Sequence, residues 1–207
     1  MYAVLLNYTI MENQTNTNEF NHEASLKVIY EMIESAKSKI GRNYFYYLFW
    51  GYLVALTSLT ELFLITVIKY AYHFLVWPVL MPAGCIITFI FHWRQNKLAT
   101  SKTYIGKTMG YLWTGWLISV TILLLFANLK QDYTAIIPLI LAMYGMAIFV
   151  SGGIVGFRPL IWGGIIGWMA SATAFFMPYT VQLLIMTGTV IISYIIPGHL
   201  LKRRSKV

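Results

Sequence analysis

Glu61 is the residue of this sequence whose type and setting could do chemistry in an apolar environment. It is the only acidic side chain within any long apolar segment, sixteen residues after Phe45 and seven before Ile68. A charged side chain at the centre of a membrane helix costs about 2.5–3.5 kcal/mol on insertion scales, and less off-centre. Such a residue persists where it faces other helices, carries a proton or finds a partner. Thr57 stands one helical turn earlier on the same face, in register to hydrogen-bond it, and Ser58 and Thr60 add local polarity. A carboxyl taken out of water favours its neutral form, so Thr57 and Glu61 read as a candidate proton, ion or solute site. The plainer alternative is a protonated Glu bonded to a neighbouring helix, or a side chain reaching interfacial water.

Other chemistries lack their parts. There is no His-Glu-x-x-His and no carboxylate pair, and Asp132, the only Asp, falls in an expected outer turn. His73, His92 and His199 lie near segment boundaries, where no Ser-His-Asp set can be assembled; His92 and His199 read as part of a basic rim. Cys85 stands alone, so neither a zinc spacing nor an intrachain disulfide is available. Within its apolar run it reads as a small buried hydrophobe. Ser151-Gly152-Gly153-Ile154-Val155-Gly156 lacks the Gly-Lys-Ser/Thr ending that places a Lys on phosphate, and is expected to form a tight turn. The sequence therefore predicts no catalytic residue, no metal site, no cofactor and no enzyme.

The elements that must position Glu61 follow from composition. Of 207 residues, 58% are apolar, 16% aromatic and only 11% charged, against roughly 25% charged and about 45–50% apolar in soluble domains. Six apolar segments of 18 to 25 residues can be read: Tyr44–Ile68, Phe74–Phe91, Gly110–Asn128, Thr134–Ser151, Pro159–Met177 and Tyr179–Ile196. Each is long enough to cross ~30 Å of hydrocarbon at 1.5 Å per residue. Backbone polar groups in lipid must bond within their own segment, so all six are expected to be α-helices. They form three hairpins with short turns, the long connection running from His92 to Met109, and residues 44–201 make one all-α membrane domain. Pro78, Pro82 and Pro138 are expected to kink their helices, either shaping a cavity or accommodating packing.

Ahead of these segments, Met1–Ile10 is apolar but carries no basic leader. Met11 opens a more ordinary polar start, so either Met1 or Met11 can be the start, an over-called Met1 being the simplest explanation of the first ten residues, and residues 1–20 read as a disordered tail. From Asn21 to about residue 43, Leu26, Ile29, Ile33, Ala36 and Ile40 recur at three- and four-residue steps and form one apolar stripe. This predicts an amphipathic helix with Asn21 as cap, whose stripe of Leu26, Ile29, Ile33 and Ile40 is a candidate surface for a protein partner, for self-association or for lipid.

The net charge is +8, and thirteen of the fifteen Lys and Arg fall on one side of the six-span arrangement; only Lys69 and Lys130 fall on the other. The basic residues, including the 202–207 tail, thus specify orientation rather than nucleic-acid binding. By the positive-inside rule both termini are cytoplasmic. Trp50, Trp93, Trp113 and Trp162 fall near the cytoplasmic ends and Tyr70, Tyr72, Trp77, Tyr133 and Tyr179 near the outer ones, as interfacial belts would. Gly163, Gly167, Ser171 and Ala174 make a small-residue stripe that lets helix backbones approach. Trp-Gly pairs in the first helix of each hairpin, and Gly84, Gly145 and Gly188 in the second, suggest a triplicated hairpin.

The strings Glu23-Ala-Ser-Leu-Lys-Val-Ile-Tyr-Glu-Met-Ile-Glu34, Trp50-Gly-Tyr-Leu-Val54, Ser151-Gly-Gly-Ile-Val-Gly-Phe-Arg-Pro-Leu-Ile-Trp-Gly-Gly-Ile165 and Ile192-Ser-Tyr-Ile-Ile-Pro-Gly-His-Leu-Leu201 resemble a family of small uncharacterised six-span inner-membrane proteins common in Bacteroidota. The resemblance runs from about Met11 to the C-terminus. It implies a bacterial inner-membrane location and a gene often placed beside a small winged-helix regulator, and it brings no activity and no catalytic residue. Two functions are expected from all this. The first is a non-catalytic regulatory or interaction module using its cytoplasmic helix and basic loops; the second is a small-solute or proton-linked transporter or channel with its site at Glu61.

Overall fold

The computed structural model describes residues 24–30, 44–96 and 104–204. The 1–20 tail, most of the Asn21–Arg42 helix (Ile33 and Ile40 included), residues 97–103 and the last three residues lie outside the described residues. Met1–Lys39 and Ile40–Val207 are two separate compact units. In the first, residues 24–30 are helical and Leu26, Ile29 and Tyr30 are exposed.

The second unit is built of helices joined by short turns, with no strand among its described residues. Its elements are α1 (Tyr44–Phe63), ending in a π turn Leu64–Ile68; α2 (Val76–Asn96), entered through a single 3-10 turn His73–Leu75; α3 (Tyr104–Lys130); α4 (Ile136–Val155); α5 (Arg158–Ala174); α6 (Tyr179–Val190), followed by a π turn Ile191–Ile195; and α7 (Ile196–Arg204). Five stretches are long and apolar enough to cross a bilayer: Tyr44–Ile68, His73–Arg94, Gly106–Lys130, Ile136–Val155 and Tyr179–Arg203. α5 has 17 residues, about 25 Å of helix. Gln182 of α6 donates to the carbonyls of Thr134, just before α4, and Met177, just after α5, so α5 must return from the end of α4 to the level where α4 began.

Several helix ends differ from the sequence reading. α2 and α3 extend well into the connection expected between His92 and Met109. Ser151 to Val155 is helix rather than turn, and the chain reverses at Gly156, whose φ of 66° is left-handed, and Phe157. Glycine there avoids the steric penalty that other residues meet. The last helix passes residue 196 and continues to Arg204. Pro197 explains the π turn before it: proline has no N–H to bond one turn back, and the wider turn takes up that gap. The turn also places Ser193, Tyr194 and Ile195 in the interior as three consecutive buried residues, which one face of a regular α-helix cannot do. Pro78 and Pro138 each stand third in their helix, where a missing N–H costs nothing; only Pro82 is interior to α2.

Packing is uneven. Half of the residues in the apolar windows of α4 and of α6–α7 are buried, against 6% in α2 and 11% in α3. The centre is therefore α4, α5, α6 and α1, with α2 on α1 and α3 on α4. Lipid tails are as apolar as leucine, so close backbone approach and interhelical hydrogen bonds hold such a bundle together. A Cβ added at Gly164 would lie 2.6 Å from the Phe149 Cβ, and one at Gly167 2.9 Å from the Gly145 Cα. Gly163 sits as closely on Ser193 of the π turn. The seams carry serine-to-carbonyl bonds: Ser171 to Pro138, Ser193 to Gly163 and Ser58 to Leu183. Gly84 and Gly145 each meet a neighbouring helix, whereas a Cβ at Gly188 meets nothing within 4 Å, so the three glycines of the suggested repeat do not share a packing role.

Candidate functional site

The Glu61 side chain is wholly buried, and its carboxyl group is met by residues from three parts of the fold. Tyr179, the first residue of α6, donates its phenol to Oε1 at 2.9 Å. Trp77, in the first turn of α2, donates its indole N–H to Oε2 at 2.5 Å. His73, in the 3-10 turn before α2, places Nδ1 2.9 Å from Oε1. Glu61 lies near the end of α1, and Lys69, in a left-handed conformation with φ of 55°, turns the chain back towards α2. His73 and Trp77 follow four residues apart at the helix start, so both side chains reach the same neighbour. Tyr179 arrives because α6 begins at that end, directly after Pro178.

These roles are asymmetric. Indole can only donate, so Oε2 is an acceptor. Oε1 takes the phenol hydrogen and faces an imidazole nitrogen, and one proton can reside on either His73 Nδ1 or Glu61 Oε1. As a carboxylate, Glu61 has three protein donors in place of water; as an acid, it donates to the imidazole. The titratable groups facing the carboxyl are His73, from the turn before α2, and Tyr179, from α6. The His73 side chain is 29% exposed while that of Glu61 is fully enclosed, so the imidazole joins the enclosed carboxyl to the surroundings.

The sequence-derived candidates distribute around this cluster. Thr57 is buried on the same face of α1, but its hydroxyl donates to the Leu53 carbonyl of its own helix at 2.7 Å; it does not partner Glu61. The reason is geometric, since a helical threonine has the carbonyl four residues back in constant reach. Ser58 bonds across to Leu183 of α6, and Thr60 turns outward and back-bonds to Leu56. Gly163, Gly167, Ser171 and Ala174 are all buried and none of them bonds to the carboxyl; Ala174 belongs to the core cluster against which Trp77 and Tyr179 pack. Leu26 and Ile29 belong to the other unit. Cys85 is half-buried, not enclosed.

Three members of the cluster were missed from sequence. His73, Trp77 and Tyr179 have the residue types of an interfacial belt, and by position Trp77 and Tyr179 read as members of one. Depth was the available signal, since the end of α1 and the starts of α2 and α6 lie at one level in any antiparallel arrangement. Belt-like exposure does hold for Tyr70, Tyr72, Tyr133, Trp93 and Trp162. At the other end of α1, Tyr46 pairs with His92 at 3.4 Å and Tyr52 with His199 at 2.9 Å. All three histidines among the described residues thus bond to a side chain of α1. Among those residues, no three His, Cys, Asp or Glu come together as metal ligands.

No family model matches the chain, and neither a curated protein nor a solved structure matches it.

Proposed function

We propose that this is a non-catalytic polytopic protein of a bacterial inner membrane, with six spans and both termini cytoplasmic. In this reading it is a regulatory or interaction module that meets a partner through its Asn21–Arg42 helix and basic loops. The observation that carries the reading is the exposure of Leu26, Ile29 and Tyr30 on the helical residues 24–30, at 65%, 52% and 68%. Large apolar side chains left uncovered outside a membrane domain suit an interface. The bundle supports the non-catalytic part: its most polar interior group, the Glu61 carboxyl, is fully engaged by protein donors. The sixth crossing is α5, supported by its return between the levels fixed by Gln182.

Two measurements test this. Reporter fusions after Arg94 and after Lys206 should both read cytoplasmic, and a periplasmic signal from either removes the topology. Ile33→Glu, on the apolar stripe, should weaken crosslinking to a partner or to a second copy more than Glu34→Lys, on the polar face; equal effects reject the stripe as the contact.

A second reading, proton-linked transport through Glu61, is favoured by the part-exposed His73 beside the enclosed carboxyl. A proton could pass between the surroundings and Oε1 through the ring. In this reading the cluster is a transfer point, whereas in the first it is a latch joining α1, α2 and α6.

A further inference from the structure

A groove of about 210 Å³ runs between α3 and α4 at the end of the bundle where the two helices are joined. Its walls are apolar, with Leu123 and Phe126 on α3 facing Ile136 and Leu139 on α4, and its only charged lining residues are Lys130 and Asp132. The connecting turn fixes that pair. Gln131 takes a left-handed φ of 55°, ending α3 at Lys130. Asp132 then receives both the N–H and the hydroxyl of Thr134 on a single carboxylate oxygen, Oδ1, at 3.0 and 2.7 Å. Its second oxygen, Oδ2, has no partner among the described residues, and Lys130 makes no ion pair among them. The two bonds from Thr134 also hold the Asp132 carboxyl below the usual carboxylate range, so it stays ionised at neutral pH.

A cation and an anion together at the mouth of an apolar groove match a zwitterion. From this juxtaposition we infer that the α3–α4 groove binds a phospholipid with a phosphoethanolamine headgroup, its phosphate on Lys130, its primary ammonium on Asp132 Oδ2 and an acyl chain along Leu123, Phe126, Ile136 and Leu139. A purely anionic headgroup would meet Lys130 but be repelled by Asp132. A trimethylated amine would carry the right charge without an N–H to give Oδ2. The slight burial of α3 leaves this groove open to the lipid phase, so the ligand needs no path through the bundle. The inference rests on the bundle spanning a membrane and is independent of the roles assigned to Glu61 and residues 21–42.

The test is native mass spectrometry of the full-length, delipidated protein in mild detergent. The protein is offered an equimolar mixture of phosphatidylethanolamine, phosphatidylcholine and phosphatidylglycerol with identical acyl chains. The wild type should retain phosphatidylethanolamine about fivefold over each of the others, the scale of one exposed ion pair. Asp132→Asn keeps the Oδ1 acceptor for Thr134, and should abolish the preference over phosphatidylcholine. Lys130→Gln removes the contact to the phosphate that all three headgroups share, and Leu139→Trp fills the groove, so each should lower retention of all three lipids. Equal retention of the three lipids, no retention at all, a preference for phosphatidylglycerol, or an ethanolamine preference that survives Asp132→Asn would overturn the assignment.

Discussion

Glu61→Leu is expected to destabilise the bundle by about 3 kcal/mol, the scale of breaking a buried charged pair by deleting one partner. Leucine approximates the volume of glutamate but accepts no hydrogen bond, so the Trp77 indole, the Tyr179 phenol and the His73 ring lose their shared acceptor together. Each donor left unpaired away from water costs about 1–3 kcal/mol, and His73, being part-exposed, recovers some of this from solvent. Glu61→Gln should cost only about 1 kcal/mol: its carbonyl still accepts from Trp77, and its amide can donate to His73 Nδ1 or to the phenol oxygen. The measurement is thermal unfolding of the purified protein in detergent, and a Leu variant as stable as wild type would show that the carboxyl holds nothing. Glu61→Gln also separates the two functional readings, because it keeps the latch and removes the exchangeable proton. Unchanged proton flux in liposomes on Glu61→Gln eliminates the transport reading, while loss of flux at nearly unchanged stability establishes it.

Gly164→Ala should have a comparable effect through packing alone. The new methyl would stand 2.6 Å from the Phe149 Cβ and 2.7 Å from the Phe149 backbone nitrogen, and backbone cannot step aside as a flexible side-chain tip can. α5 would have to move off α4, breaking the fit at Gly145 and Gly167. Overpacking of this kind costs about 1–3 kcal/mol, and an expected value near the upper end, about 3 kcal/mol, follows from the involvement of backbone. Gly188→Ala provides the contrast within the same bundle: nothing lies within 4 Å of its added Cβ, and alanine is the better helix former by about 1 kcal/mol. Gly188→Ala should therefore leave the unfolding midpoint unchanged or raise it. Equal losses in the two variants would mean that the α4–α5 seam is looser than the structure has it.

What the sequence revealed, and what it hid, divides along physical lines. Hydropathy is a local property, so the long apolar helices could be read directly, and Glu61 stood out as the one acid among them. Helix ends are settled by neighbours. Ser151-Gly152-Gly153 has the composition of a turn, yet it continues α4 because Gly152 lies against the backbone of Ile161 in α5. Composition cannot register that contact. Helical spacing puts Thr57 on the Glu61 face of α1, but it cannot say where the hydroxyl bonds, and its own helix supplies the acceptor at Leu53. Trp77 and Tyr179 were hidden by their own residue type: a ring that suits a membrane interface suits an interior carboxylate equally well, and only the pairing of helix ends tells the two apart.

The uneven packing of the bundle also bears on how its sequence drifts. Most side chains of α2 and α3 face outward, where one apolar residue replaces another at little cost, so substitutions there accumulate almost unselected. Along α4, α5 and the π turn of the last span, glycine and serine are held in place by backbone contacts and carbonyl bonds. Over long divergence α2 and α3 should blur first into generic hydrophobicity, while the spacing of Gly145, Gly152, Gly163, Gly164 and Gly167 persists as the inherited signature of the fold.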